Sequence, residues 1–110
     1  MIKRKITVNI DSTLKYLQLW NGIFNITDTG LQILAAFIDT QDITEESNLC
    51  GIRNKKAVAN ARGIRDHNTL NNYIKRFKDK GAVVKKDGEY RLNPFLDPAT
   101  NIVEITINNI

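Results

Sequence analysis

Cysteine, histidine, proline and tryptophan are nearly missing from this 110-residue chain, with one, one, two and one copies respectively, and the first two shortages each exclude a class of site. With Cys50 as the single cysteine no intrachain disulfide can form, which fits a reducing cytoplasmic compartment. His67 is the single histidine and stands seventeen residues from Cys50, so there is no zinc-ligand spacing and no metal site is expected. No Walker loop, dinucleotide fingerprint, nucleophile elbow or paired carboxylates occur, so neither a catalytic residue nor a cofactor is expected and the chain does not read as an enzyme. Nothing approaches the ~18–20 apolar residues of a membrane span, and Met1-Ile-Lys-Arg-Lys-Ile6 lacks the apolar core of a signal peptide, so a soluble cytoplasmic protein with no membrane partner is expected. Internal repeats and low-complexity tracts are absent too, which leaves one globular domain over residues 1–110.

Charge is present, and it is segregated. The net +4 divides into +3 for residues 1–10, −5 for 11–52, +8 for 53–91 and −2 for 92–110. The basic block holds twelve Lys and Arg against four Asp and Glu. A positive segment of that density is the footprint expected of phosphate contact. Within it, Leu70, Ile74 and Phe77 fall at i, i+4 and i+7, predicting a helix from about Asn68 to Lys80 with Asn71, Asn72, Lys75, Arg76 and Lys78 on its other faces. Gly81 stands where a helix takes a left-handed residue to end, and Asp87-Gly88 between strand-like flanks predicts a tight hairpin over 82–92.

Elsewhere, Ile2, Ile6, Val8 and Ile10 alternate with polar residues, as do Val103, Ile105 and Ile107 within 102–110, predicting a strand with one apolar face at each end of the chain. These strands are expected to pair with each other or with a partner chain. Asp11-Ser12-Thr13 opens a helix running to about Gly22, with Leu14, Leu17 and Trp20 inward and Trp20 as a core anchor. Thr27-Asp28-Thr29 opens a central core helix on Leu31, Leu34, Ala35 and Ile38 that ends near Thr40. Residues 41–53 read as a short helix or turn before a linker, with Glu45 and Glu46 at a solvated helix start and Ile43, Leu49 and Ile52 packing. A third helix is expected over Lys55–Arg62, with Val58 and Ala59 inward and Gly63 closing it. Asn93-Pro94 and Asp97-Pro98 break regular structure before the last strand.

From Thr27 to Leu92 the chain resembles the winged helix-turn-helix family. Thr27-Asp28-Thr29 before Leu31 and Leu34 is similar to the opening of that family's first core helix, Ala59 takes the small position where two helices cross, Gly63 the turn, and Ile64 the core residue after it. Leu70, Ile74 and Phe77 match the apolar positions of the recognition helix, Gly81 its end, and Lys85-Lys86-Asp87-Gly88 the wing tip. The stretch from Ile64 to Leu70 is one residue longer than the commonest spacing, which implies a longer turn. Tyr90-Arg91-Leu92-Asn93-Pro94 resembles the end of the wing in some plasmid replication initiators. The abundance of isoleucine and asparagine fits an AT-rich genome such as those of many phages.

The resemblance implies an α+β, mainly α, winged helix-turn-helix with additional N- and C-terminal strands that binds double-stranded DNA, as a transcriptional regulator or replication accessory factor. Asn71 and Asn72 would pair with adenine, Arg76 with guanine or phosphate, and Lys75 and Lys78 with phosphates. Arg65, His67, Asn68 and Thr69 would lie at the start of the helix, near a phosphate, and Lys85, Lys86 and Arg91 would bring the wing to the backbone or minor groove. The alternative is an assembly module, since winged helices in virion and polymerase complexes bind proteins with the same fold. Strands at both ends favour that alternative, because an open strand edge is a surface for a partner protein or a homo-oligomer.

Overall fold

A computed structural model describes residues 12–96 with their side chains and residues 2–9 and 102–109 as backbone strands. In chain order the elements are β1 (Ile2–Asn9), α1 (Thr13–Phe24), α2 (Asp28–Thr44), α3 (Ile52–Arg62), α4 (His67–Asp79), β2 (Val83–Lys86), β3 (Glu89–Leu92), a single 3₁₀ turn at Pro94–Leu96, and β4 (Ile102–Asn109). The described residues are mainly helical, with two small antiparallel sheets, β1-β4 and β2-β3, so the fold class is α+β. The terminal strands pair with each other, Ile6 opposite Ile105 and Val8 opposite Val103. Their expected apolar faces, Asp11 and the Asp97-Pro98 break lie outside the described residues.

Each helix boundary has a local cause. Ser12 caps α1 by accepting from the Lys15 amide at 3.1 Å. Contrary to expectation α1 does not stop at Gly22 but runs to Phe24, because the stop signal is Asn25, which takes the left-handed conformation at φ 53°. Asn21 secures the exit: its amide donates to the Ile26 carbonyl and accepts from the Ile26 N–H, both at 2.8 Å. Thr27 caps α2, its hydroxyl accepting from the Gly30 N–H at 3.2 Å.

α2 overruns its expected end near Thr40 by four residues, and the expected helix start at Glu45-Glu46 is in fact a helix end. Glu45 is the C-cap at φ 56°, and its N–H donates to the Gln41 carbonyl at 2.8 Å. The Gln41 side chain then reaches the Glu46 carbonyl at 2.8 Å, so a polar pair closes this helix where no glycine marks the place. α3 begins three residues before the expected Lys55, after an N-cap glycine, Gly51.

The core is built around α2, which buries Leu31, Ile33, Leu34, Ala35, Phe37 and Ile38. Ile33 and Phe37 lie off the expected stripe and are buried because neighbours cover this helix on more than one side. Leu17 and Phe24 of α1, Leu49 and Cys50, Val58 of α3, Leu70, Ile74 and Phe77 of α4, Ala82, Val83 of β2 and Leu96 complete the cluster. Leu14, Trp20 and Ala59 pack against it half-buried, as the sequence predicts. Trp20 meets the Tyr16 and Phe95 rings edge-on, with centroids 6.4 and 4.6 Å away. The Tyr16 hydroxyl donates to the Phe95 carbonyl at 3.1 Å, tying α1 to the 3₁₀ turn.

Residues 45–51 overturn the expectation of a linker. Leu49 and Cys50 are buried, whereas Ile43 and Ile52, expected to pack, are 83% and 74% exposed. The fold here is set by an amide. Asn54, fully buried, donates to the Leu49 carbonyl at 3.0 Å and the Asn48 carbonyl at 3.3 Å, and accepts from the Thr44 hydroxyl at 2.7 Å. The same segment is stitched to β3: the Leu49 N–H donates to the Tyr90 carbonyl, the Tyr90 N–H donates to Asn48 Oδ1, both at 2.9 Å, and the Ser47 hydroxyl donates to Glu89.

Candidate nucleic-acid interface

α4 presents the basic face because its three apolar residues leave it no other orientation. With Leu70, Ile74 and Phe77 buried, a rotation of about 100° per residue turns Asn68, Asn72 and Asp79 directly away from the core, with Lys75 to one side of them and Arg76 to the other. The helix begins at His67 with Asp66 as its cap, the carboxylate accepting from the Asn68 N–H at 2.9 Å. It ends as the glycine predicts. The Ala82 N–H donates to the Phe77 carbonyl at 2.9 Å and the Gly81 N–H to the Lys78 carbonyl at 3.1 Å, with Gly81 at φ 80°. This Schellman arrangement turns the chain straight into β2.

The hairpin is a two-residue turn with positive φ at both central positions, Asp87 at 53° and Gly88 at 78°. That backbone matches the right-handed twist of the flanking strands and keeps the Lys86↔Glu89 and Val83↔Leu92 register tight. Lys85 reaches over the Tyr90 ring with its Nζ 5.4 Å from the centroid, and Arg91 stands 3.9 Å from Glu89. Both partnerships are solvent-facing, so each adds little stability and leaves the cation accessible.

Arg65, His67, Asn68, Thr69, Asn71, Asn72, Lys75, Arg76, Lys78, Lys85, Lys86 and Arg91 are all exposed. They do not form one uniform surface. Arg65, His67 and Asn71 line a groove of about 670 Å³ between α3 and α4, floored by Ala59, Ile64 and Leu70. Arg76 turns the other way, its guanidinium 5.5 Å from the Tyr73 ring centroid, and borders a cleft of about 220 Å³ beside the start of α2. Asn68, Asn72 and Asp79 occupy the crest between them, with Lys75 beside it. The connection between α3 and α4 is the four residues 63–66, opened by Gly63 at φ 67°.

Three further cations, outside the residues expected from the sequence, belong to this surface. Lys55 and Lys56 of α3 stand on the rim of the larger groove, and Lys80 borders the smaller cleft with Arg76. The signal that locates them is the charge segregation itself, which begins at Arg53 and takes in α3. Across α4 the exposed cations Lys75, Arg76, Lys78 and Lys80 face two acids, the cap Asp66 and Asp79.

Cys50 lies outside this surface. Burial pushes its thiol up to about 12 from an ordinary 9.0, with nearby Lys55 opposing the shift, so it stays protonated at neutral pH. Among the described residues no His, Cys, Asp and Glu side chains gather as a metal cluster, and no helix is long and apolar enough to cross a membrane. No family model matches this chain, and neither the curated proteins nor the solved structures contain a match.

Proposed function

We propose that this protein binds duplex DNA as a winged helix-turn-helix, serving as a transcriptional regulator or replication accessory factor. The observation that carries the reading is the α4 surface: an apolar stripe locked into the core, with Asn68, Asn72 and Asp79 on the opposite crest and the cations Lys75, Arg76 and Lys78 on its flanks. α3, the 63–66 turn and α4 supply the helix pair, and the β2-β3 hairpin follows α4 at once, in the order of a recognition helix and its wing. Amide side chains on the crest suit bidentate pairing with adenine, and Arg76 suits guanine or a phosphate. Lys75, Lys78, Lys85 and Lys86 bring positive charge to the sugar-phosphate backbone.

A second reading, a protein-assembly module, is favoured by one observation, the nearly full exposure of Ile43 and Ile52 at the facing ends of α2 and α3. Fluorescence anisotropy with duplex DNA at two salt concentrations separates the two. The DNA reading expects affinity that falls steeply with salt. Replacing Lys85 and Lys86 together by Ala weakens binding to every sequence and flattens the salt slope, because fewer counterions are released. Asn72→Ala or Arg76→Ala costs about 1–3 kcal/mol on a preferred sequence and little on others. Equal losses on all sequences would leave only non-specific binding, and no affinity at low salt would transfer the assignment to the assembly module.

A further inference from the structure

β1 and β4 pair antiparallel over eight positions, from Ile2 opposite Asn109 to Asn9 opposite Ile102. Their sheet contains these two strands, so among the described residues each has one bonded edge and one open edge. A two-stranded ribbon is marginal by itself, and a third strand or a packed layer is what makes such a unit stable. The two open edges differ in sequence. β1 carries Lys3, Arg4 and Lys5 in succession, the kind of charge that protects an edge from pairing. β4, Ile-Val-Glu-Ile-Thr-Ile-Asn-Asn, carries one charge at Glu104 and contains neither proline nor glycine.

We propose that the open edge of β4 is a self-association surface, at which two copies of this chain pair β4 with β4 antiparallel about a two-fold axis at Ile105. A β1-to-β1 contact would set three cations against three. A β4-to-β1 contact between copies is heterologous, leaves an edge free at each end and continues as a filament. The β4-to-β4 contact closes after two copies, in the strand order β1-β4-β4-β1, with the charged strands outermost. The register is also self-consistent. An axis at Ile105 sets that residue opposite its own copy, Val103 opposite Ile107, and Glu104 opposite Thr106, so the two glutamates never meet. Alternate positions share a face of a sheet, so residues 103, 105 and 107 from both copies fall on one face, beside Ile6 and Val8 of β1 and also Arg4, which stands opposite Ile107. The inference stands independently of the DNA reading, although a two-fold pair would carry two copies of α4, as a palindromic site requires.

The test is the mass of the full chain in solution without DNA, by sedimentation and light scattering over a concentration series. Twice the chain mass is expected. Ile105→Lys sets two like charges on the axis and should return the protein to a monomer. Ile105→Cys should form a symmetric intermolecular disulfide under mild oxidation, since residues directly opposite in an antiparallel pair lie at disulfide distance, while buried Cys50 stays unreacted. A parent monomer overturns the proposal, as does a filament, or a dimer that survives Ile105→Lys. If Ile105→Lys does not fold, the Ile105→Cys cross-link decides: a covalent dimer supports the axis and its absence overturns it.

Discussion

Replacing Asn54 by leucine tests the claim that one buried amide, rather than an apolar contact, shapes the bend between α2 and α3. Leucine approximates the shape of asparagine but can neither donate to the Leu49 and Asn48 carbonyls nor accept from Thr44. The three losses are unequal. The Asn48 carbonyl keeps the Gly51 N–H at 3.1 Å, and Thr44 is partly exposed and can turn to water, so each of those bonds is worth the usual net of about 0.5–1.5 kcal/mol. The Leu49 carbonyl belongs to a fully buried residue and would lose its bond to Asn54, at a cost of about 1–3 kcal/mol. The total is roughly 4 kcal/mol. With an unfolding entropy of about 2.1 cal/mol/K per residue over this chain, the melting temperature should fall by about 17 °C. Urea denaturation followed by circular dichroism measures the free energy directly, with Asn60→Leu as the control, since Asn60 is exposed on the same helix and should change stability by less than about 0.5 kcal/mol. A loss below about 1 kcal/mol for Asn54→Leu would refute the reasoning and return the bend to hydrophobic packing.

Alkaline titration should expose the buried thiol: the unfolded chain loses the Cys50 proton above about pH 9 while the folded one holds it to about 12, so stability falls across that window. The slope should approach about 1.4 kcal/mol per pH unit at most and be smaller in Cys50→Ala, measured by denaturant titration at each pH. Tyr16→Phe removes the bond to the Phe95 carbonyl and should cost about 0.5–1.5 kcal/mol in the same assay. Phe77→Ala empties a fully buried position between α4 and the core and should cost about 3–5 kcal/mol.

What the sequence made legible was local. The α4 stripe, the Gly81 end and the Asp87-Gly88 hairpin are each specified within a few residues, by periodicity, a left-handed glycine and a two-residue turn, and all three are found where the sequence predicts them. The segment from Gln41 to Arg53 was opaque because its conformation is set from elsewhere. Tyr90 lies more than forty residues away, and its bonds to Asn48 and Leu49 leave no local signature. Hydropathy misled there as well, ranking Ile43 and Ile52 above Asn54 as core residues, whereas the asparagine is buried because its amide has three partners. For the candidate interface, residue type marked the cations and amides. Which of them stand on the crest and which line the flanking grooves follows from the rotation of α4 about its buried stripe.

The bonds between residues 47–49 and β3 make the root of the hairpin part of the same mechanical unit as the α2–α3 bend. Swinging the Lys85-Lys86 tip as an arm would break the Leu49–Tyr90 and Tyr90–Asn48 bonds together, so those two amides should exchange with deuterium at one common rate, through a single opening event. A hairpin held this way meets a ligand with its backbone already ordered. The conformational entropy that a loose arm would surrender on contact has been lost during folding, and a larger share of each lysine's attraction is retained as affinity.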